Sequence, residues 1–150
     1  MDFADFEAIT RLRYQYAVSL DTRDWTLHRS IYTDHITMDF TSYSGGEGPL
    51  MMTADDWVAG LQPLFNGLSA TQHVMTNPLV DVDGDRATQR MYMQAEHFLQ
   101  QDGVQQEFAI GGYYDDHLVR QDQQWRINAV TLTVLWRRGD PDIMQRARMD

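Results

Sequence analysis

The sequence predicts an α+β fold: a cone-shaped barrel in which N-terminal helices pack against a curved, mostly antiparallel sheet. Two observations lead to it. Apolar residues recur at helical spacing in the first part of the chain, and from Ala70 onward they give way to long strand-like segments joined by tight turns. Helices followed by a run of hairpins is an α+β order, not the alternating order of a parallel sheet. Four long meander strands with one polar face must curve around a core, and the leading helices are what can cover the other face. A curved sheet closed by helices encloses an apolar pocket, the usual form of a small-molecule site.

Residues 2–20 read as an amphipathic helix. Phe3, Phe6, Ile9, Leu12, Arg13, Tyr16, Ala17 and Leu20 recur at helical spacing, and Asp2 and Asp5 favour the positive end of the helix dipole. Asp21 closes this helix, and Asp24 is the N-cap of a short second one over 25–32. Segment 35–43 alternates, with Ile36, Met38 and Phe40 on one face, as a half-buried strand does. Residues 44–49 form a Gly-rich loop. Thr53, with Asp56 three residues later, caps a third helix carrying Trp57, Leu61, Leu64 and Phe65. Strands are expected over 71–82, 86–100, 104–120 and 125–138, with turns at Asp83-Gly84-Asp85, at Gln101-Asp102-Gly103 and at 121–124. Residues 1–138 then make a single domain, and 139–150 a tail that is a frayed helix or disordered.

Composition narrows the function. With 150 residues, 43% of them hydrophobic, the chain is one domain's worth and able to bury a core. No apolar run approaches the roughly 18–20 residues that span a membrane, and the start, Met1-Asp2-Phe3-Ala4-Asp5, is acidic where a signal peptide is basic. A cytoplasmic location and no membrane partner are expected. A formal charge of −10 argues against a nucleic-acid partner, because phosphate binding needs concentrated positive charge. Cysteine is absent, so disulfides, thiolate metal sites and a Cys nucleophile are excluded. All 12 basic residues are Arg, which excludes Schiff-base chemistry and a lysine general base. His28, His35 and His117 lack partners at metal-ligand spacing and read as surface or loop residues. Asp81, Asp83 and Asp85 lack the terminal bidentate Glu of a calcium loop and read as a solvated turn. Neither metal nor cofactor is expected.

Two segments carry chemistry: 20–25 (LDTRDW) at a helix end and 72–77 (QHVMTN) at the start of the strands. A carboxylate and an imidazole that meet in an apolar cavity form a general-base pair, the carboxylate holding one ring tautomer and stabilising the imidazolium. Asp21 and His73 are the candidates, although Asp21 also suits a cap and His73 a hydrogen-bonded core position. His97 follows Met91, Met93 and Ala95 at period two. If that face lines the cone, His97 points inward, whereas the alternative puts Tyr92, Gln94 and Glu96 inside; the apolar set favours the first. The methionines suit an adaptable wall better than a metal site. Tyr14, Tyr32, Tyr43 and Tyr114 fit either core or pocket.

The stretch Ala109-Ile110-Gly111-Gly112-Tyr113-Tyr114-Asp115-Asp116, then Arg120 and Trp125-Arg126-Ile127, resembles the G-G-x-Y-x-D-x-x-x-R-x-x-x-x-W-R/K-I/L pattern of SnoaL-like proteins, in the nuclear transport factor 2-like superfamily of α+β cones. Leu20-Asp21, Asp24-Trp25, His73 and Thr76-Asn77 are similar to the branch holding hexachlorocyclohexane dehydrochlorinase, scytalone dehydratase and the bile-acid dehydratase. The resemblance spans about residues 5 to 138. It implies a base dyad of Asp21 and His73, with Tyr16 donating to a leaving group, and a homo-oligomer, trimer or dimer. One departure stands out. The dehydrochlorinase pattern has an Arg shortly after W-K-L, where this chain has Val130, which favours loss of water or isomerisation over dehalogenation.

The expected function is a cofactor-independent lyase of dehydratase type, or an isomerase, acting on a small, largely apolar, cyclic ligand. Its walls would be His97, Tyr114, Met93, Ala95, Val130 and Trp57. The rival from another class is a non-catalytic ligand-binding or oligomerisation cone. Polyketide cyclisation and epoxide hydrolysis are the catalytic alternatives, since fold does not determine chemistry.

Overall fold

The computed structural model describes residues 1–149. Asp2 starts the first helix, α1 (Phe3–Thr22), by accepting from the Asp5 backbone N–H at 2.8 Å. Its buried stripe runs through Ile9, Leu12, Arg13, Tyr16, Ala17 and Leu20, whereas Phe3, expected in the same stripe, is exposed. The helix runs two residues beyond expectation, so Asp21 lies in its last turn rather than past it. Arg23, in the left-handed conformation (φ 59°), returns its N–H to the Leu20 and Ser19 carbonyls. Asp24 caps α2 (Trp25–Ser30) through the Leu27 N–H at 2.9 Å, and Thr53 caps α4 (Ala54–Gly67) through the Asp56 N–H at 3.1 Å.

Between these helices the expected strand is shifted. β1 occupies Tyr32–Asp39 and stops there because Asp39 Oδ1 accepts from the Thr41 N–H and hydroxyl, at 3.1 and 2.7 Å, turning the chain into the single helical turn α3 (Thr41–Ser44). A short strand not expected from sequence, β2 (Leu50–Thr53), pairs antiparallel with β1. The four long strands follow as β3 (Ala70–Asp83), β4 (Arg86–Gln101), β5 (Val104–Gln121) and β6 (Gln124–Gly139). They complete a six-stranded sheet of order β2-β1-β6-β5-β4-β3, parallel only between β1 and β6.

The core fills the space between the inner sheet face and α1, α2 and α4. On β4 the buried set is Ala87, Gln89, Met91, Met93, Ala95, His97 and Leu99, so the odd face points inward. The tail corrects the expectation of a frayed or disordered end. Residues Ile143–Met149 form α5, with Ile143 and Ala147 wholly buried. Helix α4 meets α5 so closely that a Cβ at Gly67 would stand 1.8 Å from the Ala147 carbonyl oxygen. The tail thereby packs onto α4 and against β4 and β5. No helix among the described residues is long and apolar enough to cross a membrane.

Candidate active site

Strand β3 turns Thr71, His73 and Met75 inward, while the last turn of α1 lies across its start. This brings Asp21 to His73. The His73 Nδ1 is 2.8 Å from Asp21 Oδ1, the His73 backbone N–H donates to Oδ2 at 2.9 Å, and the Thr71 hydroxyl donates to Oδ1 at 2.9 Å. Three donors therefore hold one carboxylate. Partial burial pushes the Asp21 carboxyl upward, but the bonds from the His73 ring and backbone outweigh it and hold the group below its usual range. An ionised carboxylate only accepts, so His73 carries its proton on Nδ1. In the neutral ring, which lines the central cavity, Nε2 is then the acceptor.

That cavity has a volume of about 610 Å³ and is mostly apolar. Among the expected wall residues, His97, Tyr114, Met93, Ala95 and Trp57 line it, as does Tyr16. Val130 does not. In the register of β5 and β6 it lies opposite Asp116, a layer below the Tyr114–Leu132 pair, and Leu132 is what β6 presents to the cavity. Asp21 does not line the cavity either, and touches its wall through the His73 ring.

Tyr16 stands edge-on to His73, ring centroids 5.9 Å apart, and its hydroxyl meets that of Tyr114 at 2.8 Å. Burial raises both phenols above their ordinary range, so both stay protonated. His97 faces His73 with centroids 5.8 Å apart. Its Nδ1 is 2.9 Å from the Phe108 carbonyl, an acceptor, so the ring proton sits there and Nε2 is left as an acceptor. Burial first, then the nearby His73, pushes its pKa down to about 4, and His97 is neutral near pH 7.

Sequence reasoning missed several contributors. Phe40 packs edge-on against Trp57 at 5.0 Å and lines the cavity, as do Phe65, Met52 and the tail's Met144. Phe65 was legible only as part of an apolar helical stripe, and the Ile143 and Ala147 spacing was the one hint that the tail packs. Of the ambiguous tyrosines, Tyr14 is exposed, Tyr32 is core, and Tyr43 and Tyr114 line the cavity. His28 corrects its reading as a surface residue. It is fully buried against Tyr16 and Tyr32 because α2 folds back under α1, and its Nδ1 meets Ser19 Oγ at 2.9 Å. Beneath the tyrosines lies a buried ion pair that was not foreseen, Arg13 with Asp116. Among the described residues no group of three or more His, Cys, Asp or Glu is placed to hold a metal ion.

Comparison with known proteins agrees with this architecture. The model of the SnoaL-like domain family matches residues 1–131. A curated relative, the dehydratase cfoI of Aspergillus candidus, is 27% identical over 156 residues, covering 97% of this chain and 91% of its own. The crystal structure of the Kfla4162 protein from Kribbella flavida superposes with a TM-score of 0.86 at 33% identity, covering 95% of this chain and 97% of that one. Hexachlorocyclohexane dehydrochlorinase LinA-type3 from Novosphingobium barchaimii LL02 superposes with a TM-score of 0.71 at 18% identity, covering 92% and 91%, a likeness of fold.

Proposed function

The chain belongs to the SnoaL-like domain family, and from that premise we propose that it is a cofactor-independent lyase of dehydratase type acting on a small, largely apolar, cyclic substrate. The observation that carries this reading is the His73–Asp21 hydrogen bond of 2.8 Å on the wall of an apolar cavity. The 27% identity to a dehydratase over 97% of the chain supports the reaction class.

The chemistry fits a β-hydroxy ketone. His73 Nε2 takes the proton from the carbon beside the carbonyl, and the C–H electron pair moves into a new C=C bond, pushing charge onto the carbonyl oxygen. Of the bonded Tyr16 and Tyr114 hydroxyls one donates to the other, and the O–H left free receives that oxygen. The enolate then collapses and expels the β-hydroxyl, which leaves as water with the proton that the His73 imidazolium returns. Neutral His97, with Nε2 open, accepts from the departing hydroxyl and orients it. Where no β-hydroxyl is present, the same base returns the proton to another carbon and the reaction is an isomerisation. Loss of halide is disfavoured because β6 presents Leu132 rather than a cation.

Screening purified protein against cyclic β-hydroxy ketones tests this. Appearance of the conjugated enone, abolished in His73→Ala, is expected. Ligand binding without turnover across the panel would instead favour the non-catalytic cone.

The outer sheet face supports a homo-oligomer as part of the same proposal. It exposes Val74 and Trp136, and Tyr92 stacks there on Tyr113 with centroids 5.7 Å apart. A dimer or trimer is expected by light scattering, and a stable monomer at micromolar concentration contradicts it.

A further inference from the structure

Arg13 is 0% exposed and its charge is satisfied by a single partner. Its Nε donates to Asp116 Oδ2 at 2.8 Å and its Nη2 to Oδ1 at 2.5 Å, while Nη1 is buried without a hydrogen-bond partner among the described residues. A buried ion pair that merely ties a helix to a sheet is poor value for stability, since apolar side chains of similar volume do as well or better. What distinguishes this one is where the guanidinium lies. Its central carbon is 3.7 Å from the Tyr114 ring centroid and 4.6 Å from that of Tyr16, the two rings whose hydroxyls meet at 2.8 Å on the cavity wall. A cation against a π system draws density from the ring and strengthens its O–H as a donor. Asp116 opposes this, but at Tyr16 the Arg13 charge acts more strongly of the two.

We propose that Arg13 is a positioning residue of the active site: pinned by Asp116 and packed against both rings, its guanidinium holds the hydrogen-bonded Tyr16–Tyr114 pair so that its free hydroxyl is a strengthened donor to a ketone or enolate oxygen of the substrate. This rests on the reading that the cavity takes a carbonyl compound beside His73. It also gives the buried pair a role that packing alone does not.

Fluorenone and fluorene, planar probes of nearly the same shape that differ in one carbonyl, separate the possibilities without any turnover. Wild-type protein should bind fluorenone about tenfold better than fluorene, and the double replacement Arg13→Met with Asp116→Leu, which strands neither charge, should erase most of that preference while changing fluorene affinity less than about twofold. The infrared carbonyl stretch of bound fluorenone should rise in frequency in the double variant, as its hydrogen bonds weaken. Asp116→Asn, which keeps the cation and removes the opposing anion, should shift the stretch the other way. This downward shift against wild type carries the test if the double variant does not fold, because a purely structural role does not strengthen the bond to the carbonyl. A stretch and preference unmoved by the variants, or equal weakening of both probes, overturns the proposal. Equal binding of both probes to wild type overturns it while leaving a ligand cavity in place. A wild-type cavity that takes neither probe overturns the parent reading together with this one.

Discussion

His73→Ala is expected to lower turnover by at least about a hundredfold, the lower end of what general-base catalysis contributes. The loss falls on kcat more than on KM, because the imidazole is a small part of a large apolar wall and its work is done on a reacting proton. Asp21→Asn should cost nearly as much although it keeps the size of the side chain. With the amide oxygen in the Oδ2 place, where the His73 backbone still donates to it, the amide nitrogen takes the Oδ1 place, leaves the Thr71 hydroxyl without its acceptor and donates to Nδ1, moving the ring proton to Nε2, where a base needs a lone pair. The two residues act as one unit, so the double variant should be scarcely worse than either single one. Tyr16→Phe should cost less, since the Tyr114 hydroxyl remains within reach of the same oxygen. Steady-state kinetics on the substrate found by screening check all four. Near-wild-type turnover by His73→Ala would move the chemistry elsewhere in the cone, with His97 the next residue to test.

Acid should destabilise the fold well above the range in which carboxylates titrate. Burial, with Arg13 and His73 nearby, depresses His28 to about 3, and burial with His73 depresses His97 to about 4, against an unfolded value of 6.5. Below pH 6.5 the unfolded chain binds protons that the folded protein refuses, so stability is full above that pH and falls as pH drops toward 4 and then 3. Each unit of separation is worth on the order of 1.4 kcal/mol per histidine, so the summed loss reaches several kcal/mol. The structure supplies the reason for His28. The Ser19 hydroxyl donates to the Tyr16 carbonyl at 2.9 Å, so His28 must donate to Ser19 from Nδ1, and its Nε2 is buried with no acceptor among the described residues to receive a second proton. Asp21, Asp5 and Asp39, all held below the usual range, add their own losses only at lower pH. Denaturant melts at a series of pH values should show the slope, and His97→Leu should flatten it by about half, one of two histidines having been removed. A flat profile from neutral pH down to about 5 would contradict this.

Much of this was legible because the determinants are local. The caps at Asp24 and Thr53 follow from one side chain and a backbone N–H three residues on, and the two-residue period of β4 sorts Met93, Ala95 and His97 inward. The dyad was legible through the family pattern rather than through any local rule, since 52 residues separate its members. Where the determinant is tertiary, the sequence was silent or misleading. Arg13 sits in an apolar helical stripe and Asp116 on the inward parity of β5, but nothing local pairs residues 103 positions apart. His28 lies in a polar-looking six-residue helix and is buried only by how α2 packs under Tyr16. Strand β2 has no alternation and forms because β1 offers it an edge. Val130 has the right parity for the cavity and the wrong depth, for the tyrosine layer lies above it.

Asp21 is expected to fix the neutral His73 ring with its proton on Nδ1 and its Nε2 lone pair free on the cavity side. Heteronuclear NMR of the imidazole nitrogens, assigned by loss of the His73→Ala signals, reads this directly on the neutral ring and needs no substrate. Wild-type protein should show His73 protonated at Nδ1 and bare at Nε2, and Asp21→Asn should disturb that preference. A neutral His73 ring carrying its proton on Nε2 in the wild-type protein would leave the cavity without the base and contradict the mechanism.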